Sequence, residues 1–163
     1  MKAVIFDLDG TLANIDERRK LATKEDGKIN FNKLFYPPYV KLDEPVWPVI
    51  NLLKLYLKEE YKVIIFSGRS DRTRRETEKW LNQHVDIQPH FISSSLMIHS
   101  HAVYLRMREE GDHTPDEELK EKWFSEINKN RLSIECVFDD RDKVVKMWRS
   151  LGLTCFQVAE GNF

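Results

Sequence analysis

The sequence predicts an α/β domain built around a parallel β-sheet. Four short, continuously apolar runs are typical of strands that are covered on both faces, and they lie at 3–6, 62–66, 134–138 and 155–158. Helical patterns of apolar residues separate them, at 46–61, 72–85, 115–128 and 143–151. Strands that alternate with helices in this way favour parallel pairing and right-handed crossovers. Because such sheets bind ligands beyond the carboxyl ends of their strands, functional residues are expected there.

Two stretches are less regular than the rest. Residues 14–45 combine charged and aromatic residues with a Pro-Pro pair, and we expect them to form a small insert in a single domain over 1–163. Further strands are predicted at 90–93 and 102–107. Gly152 is predicted to follow the last helix in the left-handed conformation.

Composition and charge narrow the class of protein. Charged residues make up 33% of the chain and hydrophobic ones 41%, which is typical of a soluble globular enzyme. The net charge of −1 provides no overall attraction to nucleic acid or membrane, so contact with a polyanion would need a local basic patch. Cys136 and Cys155 lie in apolar runs and are predicted to be buried, reduced thiols. Because no signal-peptide pattern or long apolar run occurs, we expect a cytoplasmic protein with no membrane partner.

The first predicted strand runs directly into Asp7-Leu-Asp9-Gly-Thr11. Transfer of a phosphate monoester needs a nucleophile, a proton donor for the leaving oxygen and positive charge around the phosphoryl oxygens. Asp7 and Asp9 could take the first two roles if a bound cation kept Asp7 anionic and a less solvated setting kept Asp9 protonated. Thr11 adds a hydroxyl group. The alternative is an acidic turn that only ends a strand.

Ser67 and Asp139 also follow apolar runs, so both are expected at the same edge of the sheet as Asp7. The Ser67 hydroxyl and the Gly68 N–H would form a compact site for phosphate oxygens, and Arg69 adds a planar set of donors. Taken alone, this Ser-Gly pair is an ordinary loop.

Two further segments complete the set of candidate residues. Asp116 and Lys120 are spaced i and i+4 on a predicted helix, which by itself describes an ordinary exposed pair. Asp139-Asp140 provides paired carboxylates of the kind that coordinate Mg²⁺. No Cys/His spacing indicates zinc, and a pair such as His99 and His101 is more often solvated than bound to metal.

Taken in order, these motifs resemble those of the haloacid-dehalogenase (HAD) superfamily of aspartyl-phosphate phosphatases. The matching residues are Asp7-Leu-Asp9-Gly-Thr11, Ser67, Lys120 and Asp139-Asp140. The resemblance implies a Rossmann-like three-layer parallel sheet, the HAD fold, with a small cap or none. It also implies a Mg²⁺ ion held by Asp7, by the Asp9 carbonyl and by Asp139-Asp140.

The same resemblance implies a reaction. Asp7 would attack phosphorus to form an aspartyl phosphate, and Asp9 would protonate the leaving group and then activate water. Ser67 and Lys120 would hold and neutralise the phosphoryl oxygens.

Within that superfamily, the chain looks like the 3′-phosphatase half of phage polynucleotide kinase/phosphatase. The similarity covers Arg18, Ser67–Arg69, residues 108–123 and two C-terminal stretches at 139–152 and 157–163, but it fails over roughly 20–45. It implies that Arg18, Arg69 and Arg108 contact substrate phosphate and that Asp116 orients Lys120. The alternative is that these arginines only solvate the surface.

The kinase half of those enzymes requires a phosphate-binding loop of the form G-x-x-x-x-G-K-[ST], which this sequence lacks. We therefore expect no kinase domain in this chain and no phosphorylation of 5′ ends.

The identity of the substrate stays open at this point. Short inserts indicate an open site that suits a polymer end, and four aromatic residues of the insert could either stack with nucleobases or form its small core: Phe31, Phe35, Tyr36 and Tyr39. Basic residues of the helix at 72–85 could follow a phosphate backbone or simply face solvent. Three hypotheses follow: a repair phosphatase of 3′-phosphorylated DNA or RNA ends, a small-molecule phosphatase such as a nucleotidase, and a catalytically silent phosphate-binding protein.

Overall fold

Two sheets and six α-helices are described in this computed structural model, over residues 1–92, 102–128 and 132–161. The strands are β1 (Lys2–Asp7), β2 (Ala13–Asn14), β3 (Glu44–Pro45), β4 (Lys62–Ser70), β5 (His90–Phe91), β6 (Val103–Arg108), β7 (Ser133–Asp139) and β8 (Cys155–Gln157). The α-helices are α1 (Asp16–Ala22), α2 (Phe31–Leu34), α3 (Trp47–Lys58), α4 (Arg74–Val85), α5 (Asp116–Asn128) and α6 (Asp142–Ser150). Short 3-10 helices lie at Pro37–Leu42 and Asp71–Thr73.

The main sheet has the strand order β5-β6-β4-β1-β7-β8, and each neighbouring pair runs parallel. From β1 the chain moves outward to β4 on one side, and later it crosses to β7 on the other side of β1. The carboxyl end of β1 thus lies where the strand order reverses, which is the usual ligand site of an open α/β sheet. The predicted parallel α/β fold is confirmed.

Successive residues of β1 belong to opposite sides of the sheet, as the two-residue period of a strand requires. Val4 and Phe6 are part of the core that α3 and α4 cover. Ala3 and Ile5 are part of a second core, which α5 and α6 cover. Helices therefore pack on both faces, and the predicted three-layer arrangement is confirmed. Burying each large apolar side chain in these layers contributes about 1.5–3 kcal/mol.

Each predicted strand and helix corresponds to an observed element, with shifts at the ends. The strand predicted at 90–93 is observed as β5, and position 93 lies outside the described residues. Gly152 follows α6 with φ of +80°, which confirms the predicted left-handed conformation. Among the helices of the described ranges, none is long and apolar enough to cross a membrane.

Strand β4 is longer than predicted. Its apolar run ends at Phe66, but the strand continues to Ser70 and stays paired with β6, with an irregular register between Ser67 and Ser70. Ser67 and Arg69 are buried there because their polar groups find partners inside the protein. The predicted strand end at Phe66 was therefore too early, and the alternative of an ordinary loop at Ser67-Gly68 was wrong, since an apolar run does not reveal strand residues that are polar.

Strands β2 and β3 close the insert, with Ala13 opposite Pro45 and Asn14 opposite Glu44. Its buried residues include Arg18, Ala22, Leu34, Val40 and Asp43. The aromatic residues are not the centre of this packing, because Phe31 is 64% exposed and Tyr36 is 47% exposed. For these two residues, the interpretation as a small core of the insert was wrong.

Both cysteines are buried and free, as predicted. Burial, with a smaller contribution from the charge of Asp139, raises the pKa of Cys155 to about 12. The hydroxyl of Tyr56 lies 3.2 Å from Cys136 Sγ. The two thiols therefore act as packed, unreactive groups.

Candidate active site

A buried lysine joins the carboxyl ends of the two central strands. Asp7 ends β1 and Asp139 ends β7, and Lys120 Nζ lies 2.5 Å from Asp7 Oδ1 and 2.9 Å from Asp139 Oδ2. Asp116, one turn earlier on α5, places its Oδ2 3.4 Å from the same Nζ. Because the Lys120 side chain is 1% exposed, the interpretation of Asp116 and Lys120 as an ordinary exposed pair was wrong.

The protonation of Lys120 follows from these neighbours. Burial alone would lower the pKa of Lys120, but the carboxylates of Asp116, Asp139 and Asp7 outweigh burial and raise that pKa well above its usual value. The residue therefore stays a cation directly beside Asp7. An ammonium group buried without such partners would be strongly destabilising.

Three carboxylates meet at this edge of the sheet: those of Asp7, Asp139 and Asp140 each place an oxygen within 4.8 Å of the others. Burial raises the pKa of Asp7 well above its usual range; Lys120 acts against this shift, and Asp139 and Asp140 add to it. Burial and then the charge of Asp139 raise the pKa of Asp140 to about 6. Such crowded oxygen donors fit a Mg²⁺ ion, whose charge would offset their mutual repulsion.

Two glycines allow the acidic side chains to come close to the loops. Gly10 has φ of +90°, and a Cβ atom there would overlap the carboxylate of Asp140. A Cβ atom at Gly68 would overlap the carboxylate of Asp116. Thr11 is fully buried, and its hydroxyl lies 3.4 Å from Asp140 Oδ1. Gly68 and Thr11, both predicted to bind substrate, thus adjoin the acidic residues of the site.

Asp9 belongs to a separate buried network. Arg69 Nε donates to Asp9 Oδ1 at 2.9 Å, Arg69 also pairs with that oxygen through Nη2, and Arg18 Nη2 donates to it at 3.1 Å. Arg18 continues to the backbone carbonyl of Leu34 at 3.0 Å, and Arg69 continues to Thr77 Oγ1 at 3.0 Å. The carboxylate of Asp9 is therefore held by two guanidinium groups that are themselves fixed by the fold.

Asp43 completes this network, although no motif in the sequence pointed to it as a site residue. It accepts from Arg18 Nε at 2.8 Å, from Arg18 Nη2 at 3.1 Å and from Arg69 Nη2 at 2.8 Å. Burial raises the pKa of Asp43, while Arg69 and Arg18 act against that shift. Because both oxygens accept from guanidinium groups, the ionised carboxylate is the form that fits. Asp43 belongs to none of the motifs named in the sequence, so its contacts in space reveal it.

The network determines the charge of Asp9. Burial alone would raise the pKa of Asp9, but the charges of Arg18 and Arg69 outweigh burial and lower it to about 2. The two arginines thus favour the ionised form of Asp9, whereas the less solvated setting expected from the sequence would favour the protonated one. The sequence showed a less solvated position but not the two arginines that stabilise the ionised form.

Arg18 and Arg69, both predicted to contact substrate phosphate, are instead held by protein groups in the structure. Their side chains are 0% exposed, and their donors are directed to Asp9, Asp43 and the partners named above. Arg69 also lines the cleft above Asp7. The alternative that these arginines only solvate the surface was wrong for both.

Arg108 at the end of β6 organises the loop that leads into α5. Its guanidinium donates to the Gly68 carbonyl at 2.9 Å, to the Thr114 carbonyl at 2.5 Å and to Asp116 Oδ1 at 3.2 Å. Its side chain is 14% exposed and lines the cleft. Arg108 thus fixes Asp116, which in turn lies beside Lys120.

Ser67 lies in β4, next to β1 and level with the end of that strand. Its Oγ accepts from the Arg69 backbone N–H at 3.2 Å, and the residue is fully buried. The predicted convergence of Asp7, Ser67 and Asp139 at one edge of the sheet is thus observed in the backbone arrangement.

A cleft of about 930 Å³ opens above these residues, within the range of about 300–1,000 Å³ that is usual for ligand sites. Asp7, Asp9, Lys120, Asp139 and Asp140 line it. Further basic residues line it as well, among them Arg69, Arg72, Arg108, Arg141 and Lys143. The insert contributes a largely apolar wall formed by Ile15, Ile29, Phe31, Leu34 and Phe35, with Arg19 beside it.

Residues that share one prediction from the sequence do not all line the cleft. Of the four aromatic residues in the insert, Phe31 and Phe35 are among the described residues that line it, whereas Tyr36 and Tyr39 are not. On the basic helix, Arg74 instead pairs with Glu78 at 2.8 Å and lies over the ring of Phe91. The pair His99 and His101, which the sequence predicts to be solvated and not bound to metal, lies outside the described residues.

Comparisons with known proteins agree with this geometry. The sequence model for the phosphatase domain of polynucleotide kinase PNKP matches residues 1–163. A candidate bifunctional polynucleotide kinase/RNA ligase of Autographa californica nuclear polyhedrosis virus is 30% identical over 161 residues. That match covers 96% of this chain and 19% of the viral protein, so the chain spans about a fifth of this relative.

Solved structures show the same similarity. A chain of the Pnkp1/Rnl/Hen1 RNA repair complex superposes with a TM-score of 0.72 at 32% identity, over 99% of this chain and 43% of that one. The class C acid phosphatase of Bacillus anthracis superposes with a TM-score of 0.62 at 16% identity, over 88% of this chain and 52% of that one. The second likeness concerns the fold alone.

Proposed function

Because this chain belongs to the family of PNKP phosphatase domains, and is thus a phosphatase of the HAD type, we propose that it removes phosphate from the 3′ ends of DNA or RNA strands. The observation that carries the proposed chemistry is the buried contact of 2.5 Å between Lys120 Nζ and Asp7 Oδ1. It sets the carboxylate of Asp7, the proposed nucleophile, beside a cation in the cleft, at the carboxyl end of the central strand.

In the proposed mechanism, Asp7 is the nucleophile. One of its carboxylate oxygens attacks phosphorus, the bond from phosphorus to the 3′ oxygen of the strand breaks, and an aspartyl phosphate forms. Lys120 and Ser67 stabilise the phosphoryl oxygens. A Mg²⁺ ion held by Asp7, Asp139, Asp140 and the Asp9 carbonyl would supply further positive charge to those oxygens.

Asp9 is the proposed proton donor and then the base. It gives a proton to the departing 3′ oxygen and later takes one from the water that hydrolyses the aspartyl phosphate. A phosphate dianion beside Asp9 disfavours its ionised form, which promotes the protonation that the first step requires. Arg18, Arg69 and Asp43 orient the Asp9 carboxylate.

The walls of the cleft support a nucleic-acid substrate. Arg72, Arg108, Arg141 and Lys143 line the cleft among acidic residues, with Arg72 3.7 Å from Glu110 and Arg108 3.2 Å from Asp116. Arginine and lysine side chains in such positions can contact the phosphates that precede a strand end. The viral relative is named for polynucleotide kinase and RNA ligase, and the solved complex is named for RNA repair. These names favour a strand end over a small metabolite as the substrate.

The test compares phosphate release from four substrates with Mg²⁺ present: a 3′-phosphorylated oligonucleotide, its 5′-phosphorylated isomer, and the 3′- and 5′-mononucleotides. We expect rapid release from the first and little from the second. Equal or faster release from the mononucleotides would replace the proposed function with that of a nucleotidase. Absence of release from all four would support a silent phosphate-binding protein.

A further inference from the structure

We propose that Phe31 and Phe35 form a stacking platform for the terminal nucleobase of the strand whose 3′-phosphate is removed. This inference rests on the proposed function and adds a specificity site to it. Both residues lie in the insert, between the motif residues Arg18 and Ser67, in a stretch that the family model spans as well.

The exposure of Phe31 is the first observation. Phe31 is 64% exposed although it lines the cleft that contains Asp7. The ring of Phe35, which is half-buried and lines the same cleft, lies beside it with centroids 6.2 Å apart and planes inclined by 27°. Two roughly parallel aromatic rings therefore border the catalytic cleft, where one of them offers a large surface that protein does not cover.

The second observation is that the helix carrying Phe31 is held firmly. Asn30 caps α2, since its side chain accepts from the Lys33 N–H at 3.2 Å. The Asn30 N–H donates to the Ala22 carbonyl at 2.8 Å, which joins α2 to the end of α1. Arg18 donates to the Leu34 carbonyl at 3.0 Å and to Asp9 at 3.1 Å. The platform and the proposed proton donor are thus fixed to the same guanidinium group.

The third observation is the contrast between the walls of the cleft. One wall is largely apolar and includes Phe31 and Phe35, whereas the rest of the lining is charged, with Arg108, Arg141 and Lys143 among acidic residues such as Asp116. A nucleotide has the same two characters, because its base presents a flat π face and its backbone carries the negative charge. An aromatic side chain stacks with any base through that face, while basic side chains bind phosphate. A lipid or an acidic peptide would leave one of these two surfaces unmatched.

Stacking of the terminal base on Phe31 would make the enzyme distinguish unpaired ends from duplex ends. A terminal base that is paired and stacked in a helix must leave its neighbour before it can lie on Phe31. The platform therefore favours an unpaired 3′ end over a blunt duplex end of the same sequence.

The experiment measures kcat/KM on two 3′-phosphorylated oligonucleotides that differ only in whether the terminal nucleotide carries adenine or is abasic. For Phe31→Ala we expect a loss of about 5- to 150-fold on the adenine substrate, the range found when a stacking aromatic residue is removed. We expect little change on the abasic substrate. Phe31→Tyr should restore the adenine preference, because it restores a ring. Tyr36→Ala is the matched control, since Tyr36 is 47% exposed on the same insert but is not among the described residues that line the cleft.

A second readout separates stacking from a structural effect. With Asp7→Asn to prevent turnover, the oligonucleotide ending in adenine should bind more tightly than the abasic one, and this difference should disappear when Phe31→Ala is added. If wild-type protein releases 3′-phosphate but shows no preference for the base, and Asp7→Asn binds both oligonucleotides equally, the platform is refuted while the proposed function stands. If wild-type protein releases no 3′-phosphate from either oligonucleotide, both fail. Loss of activity on both substrates in Phe31→Ala would assign Phe31 a structural role and overturn the inference.

Discussion

Replacing Asp43 by asparagine tests the network that orients Asp9. In the structure two positive groups, Arg18 and Arg69, are balanced by two negative ones, Asp9 and Asp43, with the Arg18, Arg69 and Asp43 side chains fully buried. The substitution Asp43→Asn would keep the volume but remove one charge, and the new side-chain amide would direct its own N–H donors at a guanidinium group. Removing one partner of a buried ion pair costs about 3–5 kcal/mol, because the remaining charge is left uncompensated.

The consequence for thermal stability can be worked out from the size of the protein. For a chain of this length, each kcal/mol corresponds to about 2–4 °C, so the unfolding midpoint of Asp43→Asn should fall by roughly 6–20 °C. Asp9 would lose its fixed orientation, and a misplacement of about 1 Å can reduce turnover about 100-fold. We therefore expect kcat to fall about 100-fold at a temperature where the variant is still folded.

Calorimetry and phosphate release measure the two effects of Asp43→Asn separately. The control is Asp26→Asn, which removes a carboxylate from the same insert; the Asp26 side chain is 54% exposed, so its loss should change stability by less than about 0.5 kcal/mol. If Asp43→Asn unfolded at the wild-type temperature and kept wild-type kcat, then the pairs with Arg18 and Arg69 would contribute neither stability nor orientation.

Four further predictions concern the site and the core. Asp7→Asn should abolish phosphate release at constant side-chain volume, with an unchanged circular dichroism spectrum; activity near wild type would contradict a nucleophilic role. A chelator should abolish release and added Mg²⁺ should restore it, which an activity assay before and after dialysis checks. Gly10→Ala should cost stability and activity because the new Cβ would overlap Asp140, whereas Gly27→Ala, with a similar φ of +79° and no atom near its Cβ, should show only the backbone cost of about 1 kcal/mol in denaturant titrations. Neither cysteine should react with a thiol reagent at pH 8 until denaturant is added, because both are buried and burial raises their pKa values.

The positions of the central strands could be predicted from the sequence because buried strands appear there as continuous apolar runs. The run at 3–6 and the following Asp7 place this residue, the proposed nucleophile, at a strand end, and the structure agrees on that position. Asp139 could be placed by the same rule at the end of β7. Lys120 needed the family resemblance, since an i and i+4 pair on a helix is by itself an ordinary surface feature.

Other features could not be predicted, because they depend on contacts between residues that are distant in sequence. Asp43 is separated from Arg18 by 25 residues and from Arg69 by 26, and no periodic pattern connects them. The ionised state of Asp9 depends on the same arginines. The division of the aromatic residues, with Phe31 in the cleft and Tyr36 outside its described lining, depends on how the short helix α2 is turned against α1.

The partners of the two buried arginines also bear on the need for a cation. Two positive charges near the nucleophile, those of Arg18 and Arg69, are already balanced by Asp9 and Asp43, so they do little to attract a phosphate dianion. Next to Asp7 itself, the ammonium group of Lys120 contacts Asp7, Asp139 and Asp116, and Asp140 lies beside Asp7 and Asp139. Asp116 is balanced by its pair with Arg108, so three carboxylates and one ammonium group remain, which in ionised form would repel a phosphate. A divalent cation among these carboxylates would bring this cluster to neutrality, so the charge distribution supports the chelator prediction independently of the family.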